Sequence, residues 1–172
     1  MRNPRWLWSG VLARCKGLRG DSGNAMIELA LVMSFLGVPL LVGTSEIGTI
    51  VYDSVEISNA AHAGALYGMQ SLTYASNTSG MTTAAQDEAA DFGSALSVTP
   101  SSYYACSLAV NGTKYTGTNA QSNATTACTG GTYHALEFVQ VLTSTTVTPP
   151  IHAPGLPTSF TLTGTSVMEV EQ

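Results

Sequence analysis

Apolar residues run from Leu29 to Gly43, and Ser34 is the single polar residue within that stretch. Together with Ala25 to Ile27, the stretch offers roughly 19 residues, or about 28 Å at about 1.5 Å per residue in a helix. That length crosses the hydrocarbon core of a bilayer once. The pattern therefore predicts a membrane-spanning helix. Pro39 predicts a kink in it, because proline removes a backbone donor and its ring crowds the preceding turn.

The helical pattern continues beyond the apolar stretch as far as Met69. Ala60, Gly64 and Gly68 recur every four residues and form one stripe of small side chains. Small residues on a helix face allow another helix or a sheet to approach closely. Packing within the same domain and packing between subunits both explain the stripe, and both can hold together. We predict one helix over residues 24–69, bent near Pro39, with its upper half outside the membrane.

The rest of the chain predicts a small α+β head. Residues 70–80 are rich in Ser, Thr and Asn and indicate a linker. A short helix is expected over Thr82 to Ala95, with Thr83 as its N-cap and Ala85, Ala89, Phe92 and Leu96 as its buried stripe. Pro100 is expected to close this helical unit.

β-branched and aromatic residues then dominate the chain, which favours strands. The expected strands are Tyr103 to Val110, Tyr133 to Val147 and Ser159 to Val170. Asn111-Gly112 indicates a hairpin turn, with Lys114 to Tyr115 as a short return strand. We predict an antiparallel sheet of three or four strands, packed against the upper half of the long helix.

Charge is distributed unevenly along the chain. Every base except Lys114 precedes Gly23, whereas Asp21 is the only acid in that segment; the early bases are Arg2, Arg5, Arg14, Lys16 and Arg19. Positive charge beside an apolar helix marks the cytoplasmic side, so the head is predicted to be exported. Removal of residues 1–23 would leave one base and ten acids, a formal charge of 1 − 10 = −9. Such an acidic head argues against nucleic acid as a partner.

An acid, Glu28, lies at the start of the apolar stretch, five residues after Gly23. A carboxylate in lipid is unfavourable by a few kcal/mol near the bilayer centre, so it needs a partner. If the chain is cut after Gly23, the new α-amine of Asn24 lies one helical turn from Glu28. An amine and a carboxylate of neighbouring subunits could then neutralise each other.

The cysteines fit an exported head. Cys15 belongs to the basic leader, which leaves Cys106 and Cys128 as an even pair in the exported part. An oxidising compartment favours a disulfide between them. The bond would close a loop of about 22 residues and stabilise the fold by about 3 kcal/mol in the chain-entropy model.

Catalytic and metal-binding signals are weak. The sequence contains no GxSxG, HExxH or P-loop pattern, and His62, His134 and His152 lack ligand spacing. No cofactor, metal site or catalytic residue is predicted. Three acids follow the apolar run, Glu46, Asp53 and Glu56; they are expected either to be solvated or to pair with a partner subunit.

The chain resembles the TadE-like proteins of the tight-adherence (Flp) pilus, which are bacterial pseudopilins. Three stretches within residues 20–68 carry the resemblance, namely Gly23 to Leu31, Pro39 to Gly48 and Ile57 to Ala65. The first stretch resembles the start of the family's pattern, in which an acid precedes an apolar run. The second resembles the end of that run, with a proline, a glycine and a further acid, and the third resembles the following helix with its Asn-Ala-Ala and Gly-Ala residues. Two departures are Leu29, where an aromatic is common, and Asn24, where a small apolar residue is common.

The resemblance implies cleavage after Gly23 by a membrane prepilin peptidase, and a role for Glu28 in recognition or assembly. It implies a pilin-like layout with a cleaved leader, 1–23; a membrane-spanning and extended helix, 24–69; a linker, 70–80; and an exported head, 81–172. The implied function is that of a non-enzymatic minor pilin in the bacterial inner membrane. Its partners would be the peptidase, other pilins and inner-membrane assembly proteins.

Three alternatives remain open from the sequence. One is a single-pass anchored envelope protein whose outer domain binds a ligand or partner, with Glu28 as a tolerated interfacial acid. Another is an ordinary secretory signal, cut near Val42-Gly43-Thr44. The third is a secreted hydrolase, whose activity would depend on a Ser, His or Glu within residues 81–172. The first residue of the mature protein separates the pseudopilin, the anchored protein and the secreted protein.

Overall fold

A computed structural model of the protein describes residues 22–107, 112–129, 134–149 and 157–171, with side chains from residue 24 onward. The described chain is α+β, with a long N-terminal helical segment and a three-stranded antiparallel sheet. It divides into two compact units, Met1–Ser45 and Glu46–Gln172. The leader predicted over residues 1–23 lies outside the described residues, apart from its last two.

The long helical segment consists of α1 (Ser22–Val32), a π-helical stretch (Met33–Gly37) and α2 (Val38–Met69). The predicted helix over residues 24–69 is confirmed. The π-helical stretch lies directly before Pro39, and the Val38 N–H donates to the carbonyl of Met33, five residues earlier. Proline has no N–H to give to the carbonyl four residues before it, so a widened turn here is physically reasonable. The sequence predicted a kink at Pro39; the structure has a π-helical stretch in the turn before that residue.

Two short helices follow; the sequence did not predict the first, and the second starts earlier than expected. Helix α3 (Leu72–Ala75) lies within the predicted linker, and α4 spans Thr78–Glu88. Asn77 caps α4, because its side-chain oxygen accepts a hydrogen bond from the Gly80 N–H at 2.9 Å. The expected N-cap, Thr83, is wrong: it lies inside the helix and its hydroxyl donates to the Ser79 carbonyl. Asparagine and threonine both suit caps, so local composition alone did not discriminate between them.

The sheet consists of β1 (Ser97–Cys106), β2 (Ala135–Val147) and β3 (Phe160–Glu169), in the spatial order β1-β2-β3. Both pairings are antiparallel and run through ten residue pairs without a bulge. The strand β1 begins before Pro100, which the sequence had placed as the end of the helical unit. An edge strand tolerates proline where no ladder hydrogen bond is needed.

The connection from β1 to β2 contains a helix that the sequence did not predict, α5 (Ala120–Ala127). The expected return strand appears as one bridge, in which Tyr104 and Tyr115 exchange backbone hydrogen bonds of 2.9 and 2.8 Å. Asn111 of the expected hairpin turn lies outside the described residues. Half of the eight residues of α5 are Ser, Thr or Asn, which are weak helix formers, so the sequence indicated a loop there.

The core lies between the sheet, α2 and α4. One apolar cluster contains Ala65, Met81, Val139 and Val141, and another contains Ile57, Ala60, Ala85 and Leu96. Side chains at alternate positions of β2 are buried from Glu137 to Thr145, as expected for a sheet with one covered face. The predicted packing of the sheet against the second half of the long helix is confirmed.

Candidate functional sites on the helix and head

The helical surface up to Ser45 is apolar and exposed. Met26 is 76% exposed and Phe35 is 87% exposed. Among the described residues, one helix is long and apolar enough to cross a membrane; its most apolar 18 residues have a mean hydropathy of 2.2, and none of them is buried. Apolar side chains on every side of a helix favour an environment of lipid or of other apolar helices.

The predicted processing and assembly residues lie at the start of this surface. Gly23 belongs to α1, and Asn24 and Glu28 follow it on the same helix, four residues apart. Both Asn24 and Glu28 are exposed. The carboxylate therefore lies among exposed apolar side chains, where a membrane or a second subunit would surround it.

The predicted packing stripe on α2 contacts the chain's own head. A Cβ at Gly64 would lie 2.9 Å from the Met81 carbonyl oxygen and 3.2 Å from Val141. A Cβ at Gly68 would meet the Met81 sulfur at 2.6 Å. Ala60 is fully buried. The sequence left two explanations for the stripe, packing within the domain and packing between subunits. In the structure the stripe packs within the domain.

A further close approach involves a glycine of β3 that the sequence did not single out. A Cβ at Gly164 would lie 2.6 Å from the Ile57 carbonyl oxygen and 2.6 Å from the Thr143 hydroxyl. That hydroxyl donates to the same Ile57 carbonyl at 2.8 Å. Glycine within a strand is the signal that could have pointed to this contact.

The disulfide joins the two predicted cysteines. Cys106, at the end of β1, and Cys128, just after α5, are bonded, with their Cα atoms 5.4 Å apart. The bond links the segment that contains α5 to strand β1 of the sheet.

Two acids of α2 have different surroundings. Glu46 is 4% exposed, and among the described residues its Oε1 has no hydrogen-bond partner. Glu56 lies in a cleft of about 330 Å³ with Glu88 and Asp91. Burial and then the negative charges of Asp91, Asp53 and Glu88 raise the pKa of Glu56 above its usual value. Glu46 was expected either to be solvated or to pair with a partner subunit, and its burial shows that it is not solvated in this structure.

A buried carboxylate and a half-buried tyrosine form a polar pair on the covered face of the sheet. The Tyr104 hydroxyl donates to Glu137 Oε2 at 2.8 Å, and Glu137 is 7% exposed. Burial, followed by this hydrogen bond and the carboxylate charge, raises the pKa of Tyr104 to about 12. A carboxylate in such surroundings needs its donor, so the pair has a clear structural role.

The structure brings together one serine and one histidine. The Ser107 hydroxyl oxygen lies 3.4 Å from His134 Nδ1 and also accepts from the His134 backbone N–H at 3.2 Å. The Ser107 N–H donates to the His134 carbonyl at 2.9 Å, so the contact continues the pairing of β1 with β2. Within the part of the chain that the structure describes, no group of three His, Cys, Asp or Glu could hold a metal ion. His152 lies outside that part.

No family model, no curated protein and no solved structure matches this chain.

Proposed function

We propose that this chain is a non-enzymatic, TadE-like pseudopilin that acts in assembly of a tight-adherence (Flp) pilus. The observation that carries the proposal is the helix of residues 24–69, apolar and exposed in its first half and packed against an α+β head in its second. A helix of this kind anchors a subunit in a membrane before assembly and packs among other helices afterwards. The choice of the TadE-like family in this proposal rests on the sequence resemblance around Gly23 and Glu28.

In this proposal the basic residues before Gly23 stay in the cytoplasm, and the head is exported across the bacterial inner membrane. A prepilin peptidase removes the leader after Gly23. The disulfide between Cys106 and Cys128 suits an oxidising compartment outside the cytoplasm.

Glu28 then serves as the recognition or assembly residue. Its carboxylate is exposed on an otherwise apolar helical surface. Within lipid or a bundle of helices, an unpaired carboxylate is unfavourable, and the ammonium group of Asn24 on a neighbouring subunit can pair with it. The proposed binding partners are other pilins and inner-membrane assembly proteins.

The first residue of the mature protein tests the proposal. Protein purified from native membranes is expected to begin at Asn24, as read by N-terminal sequencing and intact mass. Material from a host without the peptidase is the control and should begin at Met1. A start at Met1 in the normal host would favour the anchored envelope protein, and a start after the apolar stretch would favour a secreted protein.

A further inference from the structure

One side of α2 exposes large apolar side chains within the unit Glu46–Gln172. Ile47 is 63% exposed, Val51 56%, Val55 55% and Leu66 42%. At about 100° per residue, these positions fall within an arc of about 100° around the helix, and two further exposed residues share that arc. Contiguous apolar exposure on one side of a helix is typical of an interaction surface, whereas single exposed apolar residues need no explanation. We call this set the outer row; it consists of Ile47, Val51, Val55, Ser58, His62 and Leu66.

The outer row contains neither Asp, Glu, Lys nor Arg, although the chain after Gly23 carries ten acids and one base. The three acids of α2, Glu46, Asp53 and Glu56, fall outside the arc of the outer row by about 80° or more. Two copies of a strongly acidic chain repel each other where their acids meet. On the outer row, two copies can touch without bringing like charges together.

Lipid does not account for the exposure of the outer row. Val55 lines the cleft that holds Glu56, Glu88 and Asp91. Three carboxylates are strongly unfavourable in hydrocarbon, so the hydrocarbon core of a membrane must end before the level of Val55. Leu66 lies three helical turns farther along α2, or about 16 Å. The cover for this part of the row must therefore come from protein.

We infer that the outer row pairs with the same row of a second copy of this chain, with the two α2 helices side by side and parallel. The inference rests on the anchoring in the proposed function, because copies inserted in one membrane share one orientation and one depth. Each residue of the row then meets its own counterpart across a two-fold axis that runs along the helices. Gly48, beside the row, has no atom within 4 Å of an added Cβ, so two helices can approach closely there.

Cysteine cross-linking of the full chain in native membranes tests this pairing. Val51→Cys, in a Cys15→Ser background, should form a disulfide-linked dimer on mild oxidation, because counterpart residues at the axis come within disulfide distance. Tyr52→Cys is the matched control: Tyr52 is the next residue and is 65% exposed, but it lies about 90° from the centre of the row. It should give at least about fivefold less dimer. Mass spectrometry should find twice the protomer mass, with Cys106 still bonded to Cys128.

Three results would overturn the inference. The first is no dimer at Val51→Cys, or equal dimer at Val51→Cys and Tyr52→Cys. The second is a linked product that contains a different protein, which would assign the outer row to that protein. The third is a Val51→Cys thiol that resists maleimide labelling in purified, detergent-solubilised monomer, because the chain would then cover its own row.

A charge placed on the outer row tests the contact away from the cross-linked position. With His62→Cys as the reporter, Val51→Asp should lower the dimer yield by about tenfold or more, because two carboxylates would meet at the axis. Tyr52→Asp adds the same charge off the row and should leave the yield unchanged. Both positions are exposed, so both variants should melt at the temperature of the parent protein. An unchanged dimer yield in Val51→Asp would contradict the pairing.

The outcome is separable from that of the proposed function. A mature protein that begins at Asn24 but gives no dimer at Val51→Cys would contradict the pairing alone. A dimer at Val51→Cys in a protein that begins at Met1 would support the pairing and contradict the pseudopilin.

Discussion

At the scale of single residues, the meaning of a glycine in this chain depends on what lies opposite it. Gly64 and Gly48 lie on the same helix, and both read as helix-weakening positions in the sequence. A Cβ at Gly48 would have no atom within 4 Å, whereas a Cβ at Gly64 would press against the Met81 carbonyl. Helix propensity alone therefore predicts the same effect of substitution at two positions that the tertiary packing distinguishes.

We expect Gly64→Ala to destabilise the protein by about 1–3 kcal/mol, because Met81 and Val141 must shift to accept the methyl group. Gly48→Ala is the matched control and should be neutral or stabilising by up to about 1 kcal/mol, through its better helix propensity. Thermal unfolding of the two variants in the same detergent measures the difference. Equal shifts of the melting temperature would contradict the close packing of α2 on α4 and β2.

The buried pair of Tyr104 and Glu137 makes a second prediction at this scale. Tyr104→Phe removes the donor to a buried carboxylate and should destabilise the protein by about 1–3 kcal/mol at neutral pH. Chemical denaturation measures this loss, and Tyr115→Phe is a control for removal of a phenol.

The same pair predicts a pH dependence. The folded state holds the Tyr104 proton up to a pKa of about 12, while a tyrosine in the unfolded chain loses its proton near the ordinary tyrosine pKa of 10.0. The pair's contribution is therefore complete below pH 10 and disappears as the pH rises towards 12. Between those limits, Tyr104→Phe should lose less stability with rising pH than the parent protein does. Identical alkaline profiles would argue against the hydrogen bond.

At the scale of the elements, periodicity was reliable where it was long and unreliable where it was short. The helix of residues 24–69 and the strands β2 and β3 follow from apolar spacing and β-branched content. Helix α5, the cap of α4 and the start of β1 did not follow, because Ser, Thr and Asn suit caps, loops and turns alike. Tertiary contacts decide among these structures. Ala120 and Ala124 of α5, for instance, are buried in the head.

The disulfide gives a prediction at the element scale. Replacement of Cys106 and Cys128 by serine should lower the free energy of unfolding by about 3 kcal/mol, given their separation of 22 residues. The shift should appear in denaturant unfolding under oxidising conditions and disappear when both proteins are reduced. A parent protein that is equally stable with and without reductant would contradict a stabilising role for the bond.

At the scale of the whole molecule, the two units differ in what they bury. The unit Met1–Ser45 contributes exposed apolar side chains, while Glu46–Gln172 contains both apolar clusters, the sheet and the disulfide. The exposed apolar side chains of Met1–Ser45 favour an apolar environment that other molecules must supply. The unit Glu46–Gln172 is stabilised by its own apolar core. This difference supports the proposal that the first unit serves as an anchor.

Replacement of the acid in the apolar segment tests that assignment in the cell. Glu28→Ala should insert stably, because removing a carboxylate from lipid is favourable by up to a few kcal/mol. Pilus assembly, counted by electron microscopy and by shearing of filaments, should nevertheless be defective. Glu88→Ala removes an exposed acid of α4 and is the control for loss of charge. Normal piliation in Glu28→Ala, with protein levels equal to the parent, would argue against an assembly role for the carboxylate.

The sequence by itself determined the long apolar helix, the α+β class, the strands β2 and β3, the cysteine pair and the asymmetry of charge around Gly23. These features depend on composition and periodicity, which act locally along the chain. Only the tertiary structure decided that Gly64 and Gly68 pack on the chain's own head and that Glu46 is buried. Each of these depends on which distant residues meet, such as Gly164 with Ile57, and no local pattern specifies that choice.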